Sequence, residues 1–423
     1  MTASGSTLTA ERHRASSAAS PPGAGSPRPD KGLMAAQRAL NNTVVGALGL
    51  ERRIDPYFRP AFDRAFKEPL ATAVQALINL RRPDQHLGLA EERALPDEPE
   101  LARSIIDAMA AFLDQTYQPG QYQRAGNTKT HGVVRGEFHV LDDLPADLRK
   151  GIFASPDTYP AWVRFSGPGP LSPPDIEDSG ILSVGIKLMA VPGPKLIADE
   201  RFTQDFTGIS APTFTTPNVR ENVKLQRHVR AGTPTLYFID PRDPHILDMI
   251  MQGLWAKAQT SPLEARYWSC APYLLGDGQA IQYSLSQCSA ERTTVPIWPS
   301  PNYLRQAMAA TLSEREVCFD FTVQLQTDPH LMPIEDASVR WPERLSAHVP
   351  VAKLRLPVQQ FDSAAQLAFA ANLSLNPWHC IAAHRPLGNQ NRARLAIYEQ
   401  LSRLRQEMNG TPHIEPTGDE VFS

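Results

Sequence analysis

The residues with the clearest chemical potential lie near the end of the chain. Arg394 precedes Tyr398 by four positions and Arg405 follows it by seven, so on a helix all three share one face. A phenol, with an ordinary pKa near ~10, binds ferric iron well only as phenolate. A permanently charged guanidinium beside it favours that anion. The spacing therefore predicts that Tyr398 is an iron ligand assisted by Arg394, and that Arg405 reaches a carboxylate at the edge of a flat ligand.

A second group of residues lies more than 200 positions upstream of Tyr398. His131 stands in Thr130-His131-Gly132, and the segment Val163-Arg164-Phe165-Ser166 follows. An imidazole can move a proton between two atoms of a bound substrate. Either segment alone is a weak signal, because single histidines at strand ends and Arg-Phe-Ser tripeptides are common. Their order and their distance from Arg394 and Tyr398 give them meaning.

Taken together, these segments resemble the catalase superfamily. The haem-ligand region of that superfamily is similar to Asn372-Leu-Ser-Leu-Asn-Pro377 followed by Arg394, Tyr398 and Arg405, although Leu375 stands where a Phe is expected. The likeness covers roughly residues 125 to 407. It continues through three further segments, which are Gly185-Ile-Lys187, Asp205-Phe-Thr-Gly208 and Phe319-Asp-Phe-Thr322. Asn376-Pro-Trp-His379 and His384-Arg-Pro-Leu-Gly388 resemble the small bacterial catalase-related haem peroxidases more than the large catalases.

The resemblance implies a haem b cofactor and a role for each matching residue. Tyr398 would ligate the iron, and Arg394 would keep the phenolate anionic. Arg164 and Arg405 would bind the haem propionates. On the opposite face, His131 would act as the acid/base residue, with Ser166 orienting it and Thr130 as its neighbour.

Three positions depart from the catalase pattern. Thr128 replaces an Arg that binds a propionate, so we expect Lys129 or Arg135 to supply that contact or the contact to be missing. Ile209-Ser210 replaces a distal Asn, so a main hydrogen-bond donor to peroxide is absent or is replaced by Ser210. Thr130 replaces a common Val, as in allene oxide synthases and small peroxidases of this superfamily. The resemblance then implies weak or no dismutation of hydrogen peroxide.

Three functions follow as hypotheses. The first is a haem-dependent peroxidase that reduces organic hydroperoxides, lipid hydroperoxides among them, with an electron donor that the sequence does not identify. The second is a hydroperoxide-rearranging enzyme of the allene oxide synthase type. The third is a non-catalytic haem-binding protein with a catalase fold.

The elements that must position these residues form an α+β pattern, and we expect a catalase-like antiparallel β-barrel with flanking helices. Residues 1–30, rich in Ser, Ala, Pro and Gly, are predicted to be a disordered tail. A helical N-terminal extension is predicted over 31–120, the haem-binding barrel and helical domain over 121–410, and a C-terminal tail over 411–423. Strands are predicted at 133–141, 161–165, 181–189, 280–285, 317–325 and 351–356. Gly276-Asp277-Gly278 reads as a hairpin turn between two strands of this mainly antiparallel region, 131–360. Helices are predicted at 363–371 and 391–408.

Composition narrows the partners and the location. The chain has 42 Lys and Arg against 45 Asp and Glu, which argues against nucleic-acid binding. Absence of a long apolar run argues against stable membrane insertion, and a homo-oligomer remains open. Four cysteines without a CxxC pair predict free thiols in a reducing compartment, hence a cytoplasmic protein. His379 and His384, with Cys380 between them, are expected to be structural rather than metal ligands.

Overall fold

The structure is a computed structural model that describes residues 31–422. The predicted disordered tail over 1–30 lies outside the described residues. Within the described part, eight antiparallel strands close into a barrel because β5 pairs with both β4 and β7. The ninth strand, β6, pairs with β7 on the same side as β5. The strands are β1 (Thr130–Val140), β2 (Thr158–Ser166), β3 (Ser183–Leu188), β4 (Gln204–Ile209), β5 (Tyr267–Trp268), β6 (Tyr273–Leu274), β7 (Ala280–Gln287), β8 (Val317–Leu325) and β9 (Val349–Leu356). The predicted antiparallel barrel with flanking helices is confirmed.

Helices surround the barrel. They are α1 (Lys31–Phe62), α2 (Glu68–Arg81), α3 (Glu98–Thr116), α4 (Val219–Ala231), α5 (Leu236–Ile239), α6 (Ile246–Trp255), α7 (Tyr303–Glu314), α8 (Ala364–Asn372) and α9 (Asn389–Asn409), with a short π-helical turn (Asp63–Lys67) joining α1 to α2. No described helix has an apolar stretch long enough to span a bilayer.

Aromatic side chains fill the interior of the barrel. The rings of Phe138, Phe206, Phe321 and Tyr283 contact one another with centroids 5.0 to 6.1 Å apart. Because side chains alternate along a strand, the residues between these inward positions point to the outside of the barrel. The interior is thus a packed core, and a ligand site must lie outside the wall, where the helices cover it.

The outward face of β1 and β2 supports that conclusion. Val133 and Trp162 leave the barrel core and pack against Ala370 and Leu373, at α8. Val163 and Phe165, their alternating neighbours, belong to the barrel core. Arg164 therefore points outward between two core residues, toward the helical layer.

The region 131–360 contains more helix than its strand pattern predicted. Helices α4 to α7 all lie within it. The signals for α4 were present in the sequence: Asn218 accepts hydrogen bonds from the amides of Arg220 and Glu221, and Gly232 ends the helix with φ 74°. The predicted turn at 276–278 is confirmed, since it joins β6 to β7 with Leu274 opposite Ala280.

The expectation of four free thiols is wrong for two of them. Cys288 and Cys318 form a disulfide between the end of β7 and the start of β8, whereas Cys270 and Cys380 are free and buried. Neighbouring antiparallel strands bring the two sulfurs together, a long-range relation that spacing did not reveal. The argument from free thiols to a reducing compartment therefore loses its basis, and a cytoplasmic location stays a prediction.

Candidate functional site

Helix α9 presents Arg394, Tyr398 and Arg405 on one side because its other side is fixed in a separate core. Ala393, Ile397 and Leu401 are buried against apolar residues of α3 and α4. At its first turn, Arg392 forms ion pairs with Glu92, Glu98 and Glu335 at 2.6 to 2.9 Å. These contacts fix the rotation of α9 about its axis and its position along that axis.

Arg394 is close to Tyr398 and to other polar aromatic groups. Its Nη1 donates to Asn391 Oδ1 at 2.9 Å, and its guanidinium carbon lies 5.0 Å from the centre of the Phe214 ring. Burial lowers the pKa of Arg394, but the neighbouring phenols of Tyr398 and Tyr273 raise it, and the net direction is upward. The guanidinium thus stays charged beside the Tyr398 phenol.

His131 lies at the start of β1, in an irregular step between Thr130 and Gly132. The residue is 1% exposed, and its Nε2 atom is buried without a hydrogen-bond partner. Burial lowers the pKa of His131 to about 3, and the charges of Lys129, Arg164 and Arg305 contribute to the shift. The imidazole is therefore neutral near pH 7 and has a free nitrogen that can accept a proton.

The groups around His131 differ from those expected. Ser166 is opposite Thr130 across the β1–β2 pair, but no hydrogen bond joins Ser166 to His131 among residues 31–422. The carboxylate nearest to the imidazole belongs to Asp175, whose Oδ1 is 3.7 Å from Nδ1 and 2.7 Å from the Lys129 ammonium. At 3.7 Å this carboxylate is too far for a hydrogen bond to the imidazole, and the orienting role of Ser166 stays a prediction.

Thr130 contacts an arginine rather than the imidazole. Its hydroxyl oxygen accepts a hydrogen bond from Arg164 Nη2 at 2.7 Å, and the same nitrogen donates to the carbonyl oxygen of Asn127 at 2.8 Å. The threonine at this position therefore helps to hold the Arg164 side chain in place.

Arg124, Arg164 and Arg405 form a cluster of cations that we call the arginine cradle. Arg164 and Arg405 are 3% and 4% exposed, and Arg124 is partly buried. Burial and the charge of Arg405 lower the pKa of Arg164 to about 9, and burial lowers that of Arg405 to about 10. Burial, Arg405 and Arg164 bring the pKa of Arg124 well below its ordinary value, whereas Tyr398 raises it. The three guanidinium groups come from the segment before β1, from β2 and from α9, and these mutual effects on their pKa values show that they lie close together.

No carboxylate in the described part of the chain forms an ion pair with any member of the cradle. Arg124 Nη2 donates to the carbonyl oxygens of Ala370 and Leu373, and Arg405 Nη2 to that of Asn372. The Nε atoms of Arg124 and Arg164 are buried without a partner. Clustered buried cations cost free energy unless an anion compensates them.

These observations test whether haem fits the residues present. Haem would supply two carboxylates for the cradle and a ferric iron for the Tyr398 oxygen. The buried guanidinium donors without partners are the features that the propionates would satisfy. The residues fit.

Arg124 is the residue that the sequence interpretation missed. The candidates to replace the arginine expected at Thr128 are Lys129 and Arg135: Lys129 pairs with Asp175, and the Arg135 guanidinium carbon lies 4.7 Å from the Trp162 ring centre. Both side chains have partners elsewhere, and whether either of them contacts a propionate stays a prediction. Arg124 stands four positions before Thr128, whose hydroxyl donates to the Arg124 carbonyl. A search for a basic residue a few positions upstream of Thr128 would have found it.

Ser210 is hydrogen-bonded to the segment that leads into β3. Its Oγ accepts a hydrogen bond from the Leu182 amide at 2.8 Å, and its own amide donates to the Leu182 carbonyl. The residue thus extends the pairing of β3 and β4, and its O–H hydrogen remains available to donate.

His379 belongs to a buried charge network beside the site. Its Nδ1 lies 2.8 Å from Asp205 Oδ2, its Nε2 lies 3.0 Å from Asp199, and Glu200 is also in range. The ligand atoms of Glu200, Asp205 and His379 are close enough for a metal ion. However, the Lys187 ammonium contacts both carboxylates, at 2.7 Å from Asp205, so a protein cation already occupies this position. The structural role predicted for His379 agrees with this geometry.

Comparison with known proteins identifies the fold. No family model and no curated protein matches the chain. Solved structures do match: a fungal catalase (TM-score 0.55, 14% identity), a bacterial catalase (0.51, 14%) and catalase A from Saccharomyces cerevisiae (0.55, 15%). Each match covers 81% of this chain and 70 to 72% of the other chain. At this identity the likeness establishes the catalase-like fold and nothing finer.

Proposed function

We propose that the protein is a haem-dependent peroxidase of the catalase type that reduces organic hydroperoxides, including lipid hydroperoxides, to alcohols. The observation that carries the proposal is the arginine cradle, whose cations lack carboxylate partners among residues 31–422, next to an imidazole with an unpartnered Nε2. Segments 376–379 and 384–388 support assignment to the small bacterial catalase-related type.

Each residue has a role in this proposal. Tyr398 would ligate the iron through its phenolic oxygen, Arg394 would favour the anion, and the cradle would bind the propionates. When bound, haem supplies the redox-active iron at which the peroxide O–O bond is cleaved. His131 would take the peroxide proton on Nε2 and return it to the departing oxygen. In the net reaction, two electrons from an external one-electron donor and two protons reduce the hydroperoxide to an alcohol and water.

The preference for organic hydroperoxides rests on Ile209 and Ser210. The amide donor expected at this position is replaced by an apolar side chain and a hydroxyl that already accepts from the Leu182 amide. Fewer donors for hydrogen peroxide and more apolar surface favour a substrate with a carbon chain. Thr130 supports the same preference through the resemblance to small peroxidases, and its hydroxyl oxygen accepts a hydrogen bond from Arg164.

The substrate test uses the haem-loaded protein with cumene hydroperoxide and with hydrogen peroxide, each with a phenolic electron donor. We expect cumyl alcohol and oxidised donor from the first, and little oxygen release from the second. Rapid oxygen release from hydrogen peroxide without reaction of cumene hydroperoxide would overturn the preference. An epoxide or ketol formed from a fatty-acid hydroperoxide without donor would identify the rearranging enzyme, and an unreactive haem complex would identify a carrier.

The role of His131 is tested by His131→Gln in the same assay. We expect a reaction with peroxide that is about 100- to 10,000-fold slower, with the haem absorption retained. Because the pKa of His131 is lowered to about 3, the wild-type rate should stay level from pH 8 to 5 and fall only in stronger acid. A rate that instead declines around the ordinary histidine pKa of ~6.5 would contradict a neutral, buried base.

A further inference from the structure

An ordinary surface helix buries its apolar side and exposes its polar side, whereas helix α1 buries polar residues and exposes apolar ones. Its buried residues are all polar: Asn41, Arg52, Asp55 and Arg59. Arg52 and Arg59 donate to the carbonyl oxygen of Ala256, and Asp55 accepts from the Ala258 amide. The large apolar side chains point away from the protein, with Leu50 65% and Tyr57 74% exposed.

The outward side chains repeat every seven residues. One series holds Leu33, Leu40, Ala47 and Ile54, and a second series, three positions later, holds Ala36, Thr43, Leu50 and Tyr57. All eight positions are exposed. The one polar member, Thr43, satisfies its hydroxyl by donating to the Ala39 carbonyl of its own helix. We call these eight positions the α1 seam.

A seven-residue repeat with two apolar positions is the pattern of a helix that packs against another helix, knobs into holes. The seam runs from residue 33 to residue 57, a length of about 36 Å at 1.5 Å per residue. A lipid surface does not require this repeat. The basic residues beside the seam are also engaged within the chain, since Arg53 pairs with Glu177 and Arg38 donates to the Ala231 carbonyl. They do not form a free row of charge for anionic lipids.

We propose that the α1 seam pairs with the seam of a second copy of this chain, in an antiparallel arrangement. Aligned so that paired residue numbers sum to 90, each large side chain in the outer layers meets a complement: Leu33 with Tyr57, Ala36 with Ile54, and Leu40 with Leu50 of the second copy. The central layers join Thr43 to Ala47, small residues that let the helices approach closely. Parallel pairing would instead set Ala36, Thr43 and Ala47 against themselves and leave gaps.

The residues beside the seam agree with this alignment. They pair across it with an offset of two positions from the seam layers. Glu51 would face Gln37 of the second copy, and Arg53 would face Ala39, so no like charges oppose each other. The body of each protein lies on the inner side of α1, where Arg52 and Arg59 attach it, and does not obstruct the seam. A two-fold axis near residue 45 relates the copies, as in most homodimers.

The test compares two variants of the full chain that add the same charge to α1. Leu40→Glu with Leu50→Glu alters the seam, and Ala35→Glu with Val45→Glu alters exposed positions outside it. In sedimentation velocity at micromolar concentration, we expect the seam variant to have half the mass of the wild type and of the control, with unchanged circular dichroism. A monomeric wild type, or a seam variant with wild-type mass, would overturn the proposal.

The arrangement has its own test. Leu40→Cys combined with Leu50→Cys should give a covalent dimer on mild oxidation, whereas either single substitution should not. Cross-linking by both single variants would indicate parallel pairing and contradict the alignment. If the wild type is monomeric and binds vesicles of phosphatidylcholine and phosphatidylglycerol, and the seam variant does not, the seam is a lipid-binding surface and the inference is wrong.

Discussion

At the scale of single residues, the arginine cradle lowers the stability of the fold as long as no anion is bound to it. Buried guanidinium groups usually have a carboxylate partner, and Arg124, Arg164 and Arg405 have only carbonyl and hydroxyl acceptors in the described part of the chain. Stored unfavourable energy of this kind is released when an anion binds. Loss of one cradle arginine should therefore lower the affinity for an anionic ligand and raise the stability of the ligand-free protein.

Arg405→Met tests that opposition. We expect haem affinity to fall about 10- to 100-fold, because one charge-assisted contact to a carboxylate is lost. The haem-free protein should unfold at a higher temperature, because a buried cation beside two others is removed. The measurements are haem titration by absorption and thermal unfolding of the haem-free protein.

Arg403→Met is the matched control on the same helix. Arg403 is mostly exposed and, within residues 31–422, pairs only with Glu399, so both quantities should stay near the wild-type values. Unchanged haem affinity in Arg405→Met would remove the cradle from the proposed site.

At the scale of elements, the buried charge network joins β3 and β4 to the segment that leads into α9. Lys187 lies on β3 and Asp205 on β4, and His379 belongs to the loop between α8 and α9. The Asp205 amide also donates to the His379 carbonyl. The loop is thus tied to the barrel wall, and with it the start of the helix that bears Tyr398.

His379 makes this tie dependent on pH. Burial and Lys187 lower its pKa, but Asp205 and Asp199 raise it more, to about 9. A folded-state pKa above the unfolded value near ~6.5 means that folding takes up a proton between these values. The stabilisation is complete below about pH 6.5, amounts to about 3 kcal/mol, and is lost as the pH rises through 9.

His379→Gln should therefore lower the free energy of unfolding most near pH 6 and least above pH 9. Urea unfolding of both proteins across this range measures the difference. His86→Gln serves as the control, since its side chain is 85% exposed. A difference that is independent of pH would show that the imidazole is not charged in the folded protein.

At the scale of the whole molecule, a closed barrel and a disulfide limit how far the chain can open. Cys288 and Cys318 are 30 positions apart, and the loop that they close contains α7. Closing a loop of this size removes conformational freedom from the unfolded chain, which stabilises the fold by about 3 to 4 kcal/mol. The crosslink also joins β7 to β8, two strands of the barrel wall.

Replacing both cysteines by serine should lower the free energy of unfolding by about 3 kcal/mol. Denaturant unfolding with and without dithiothreitol provides the control: the reductant should destabilise the wild type and leave Cys288→Ser/Cys318→Ser unchanged. Equal stability of the oxidised wild type and this variant would mean that the crosslink contributes nothing.

Local patterns in the sequence were sufficient for the elements that are long and strongly periodic. Predicted strands at 133–141, 161–165 and 317–325 correspond to β1, β2 and β8, and the predicted helix at 391–408 corresponds to α9. The short strands β5 and β6 have two residues each and leave no periodic signal. Strand β4 was missed because its buried side chains include Gln204 and Asp205, which are polar.

The sequence by itself determined which residues share a helix face or a strand end, because those relations depend only on local spacing: Arg394, Tyr398 and Arg405 on α9, and His131 at the start of β1. Only the tertiary structure decided which distant groups meet. It brought Arg124 to the cradle, the Asp175 carboxylate to within 3.7 Å of His131 Nδ1, and Cys288 to Cys318. These contacts depend on barrel closure and helix packing, which join segments far apart in the chain, and local spacing contains no information about them.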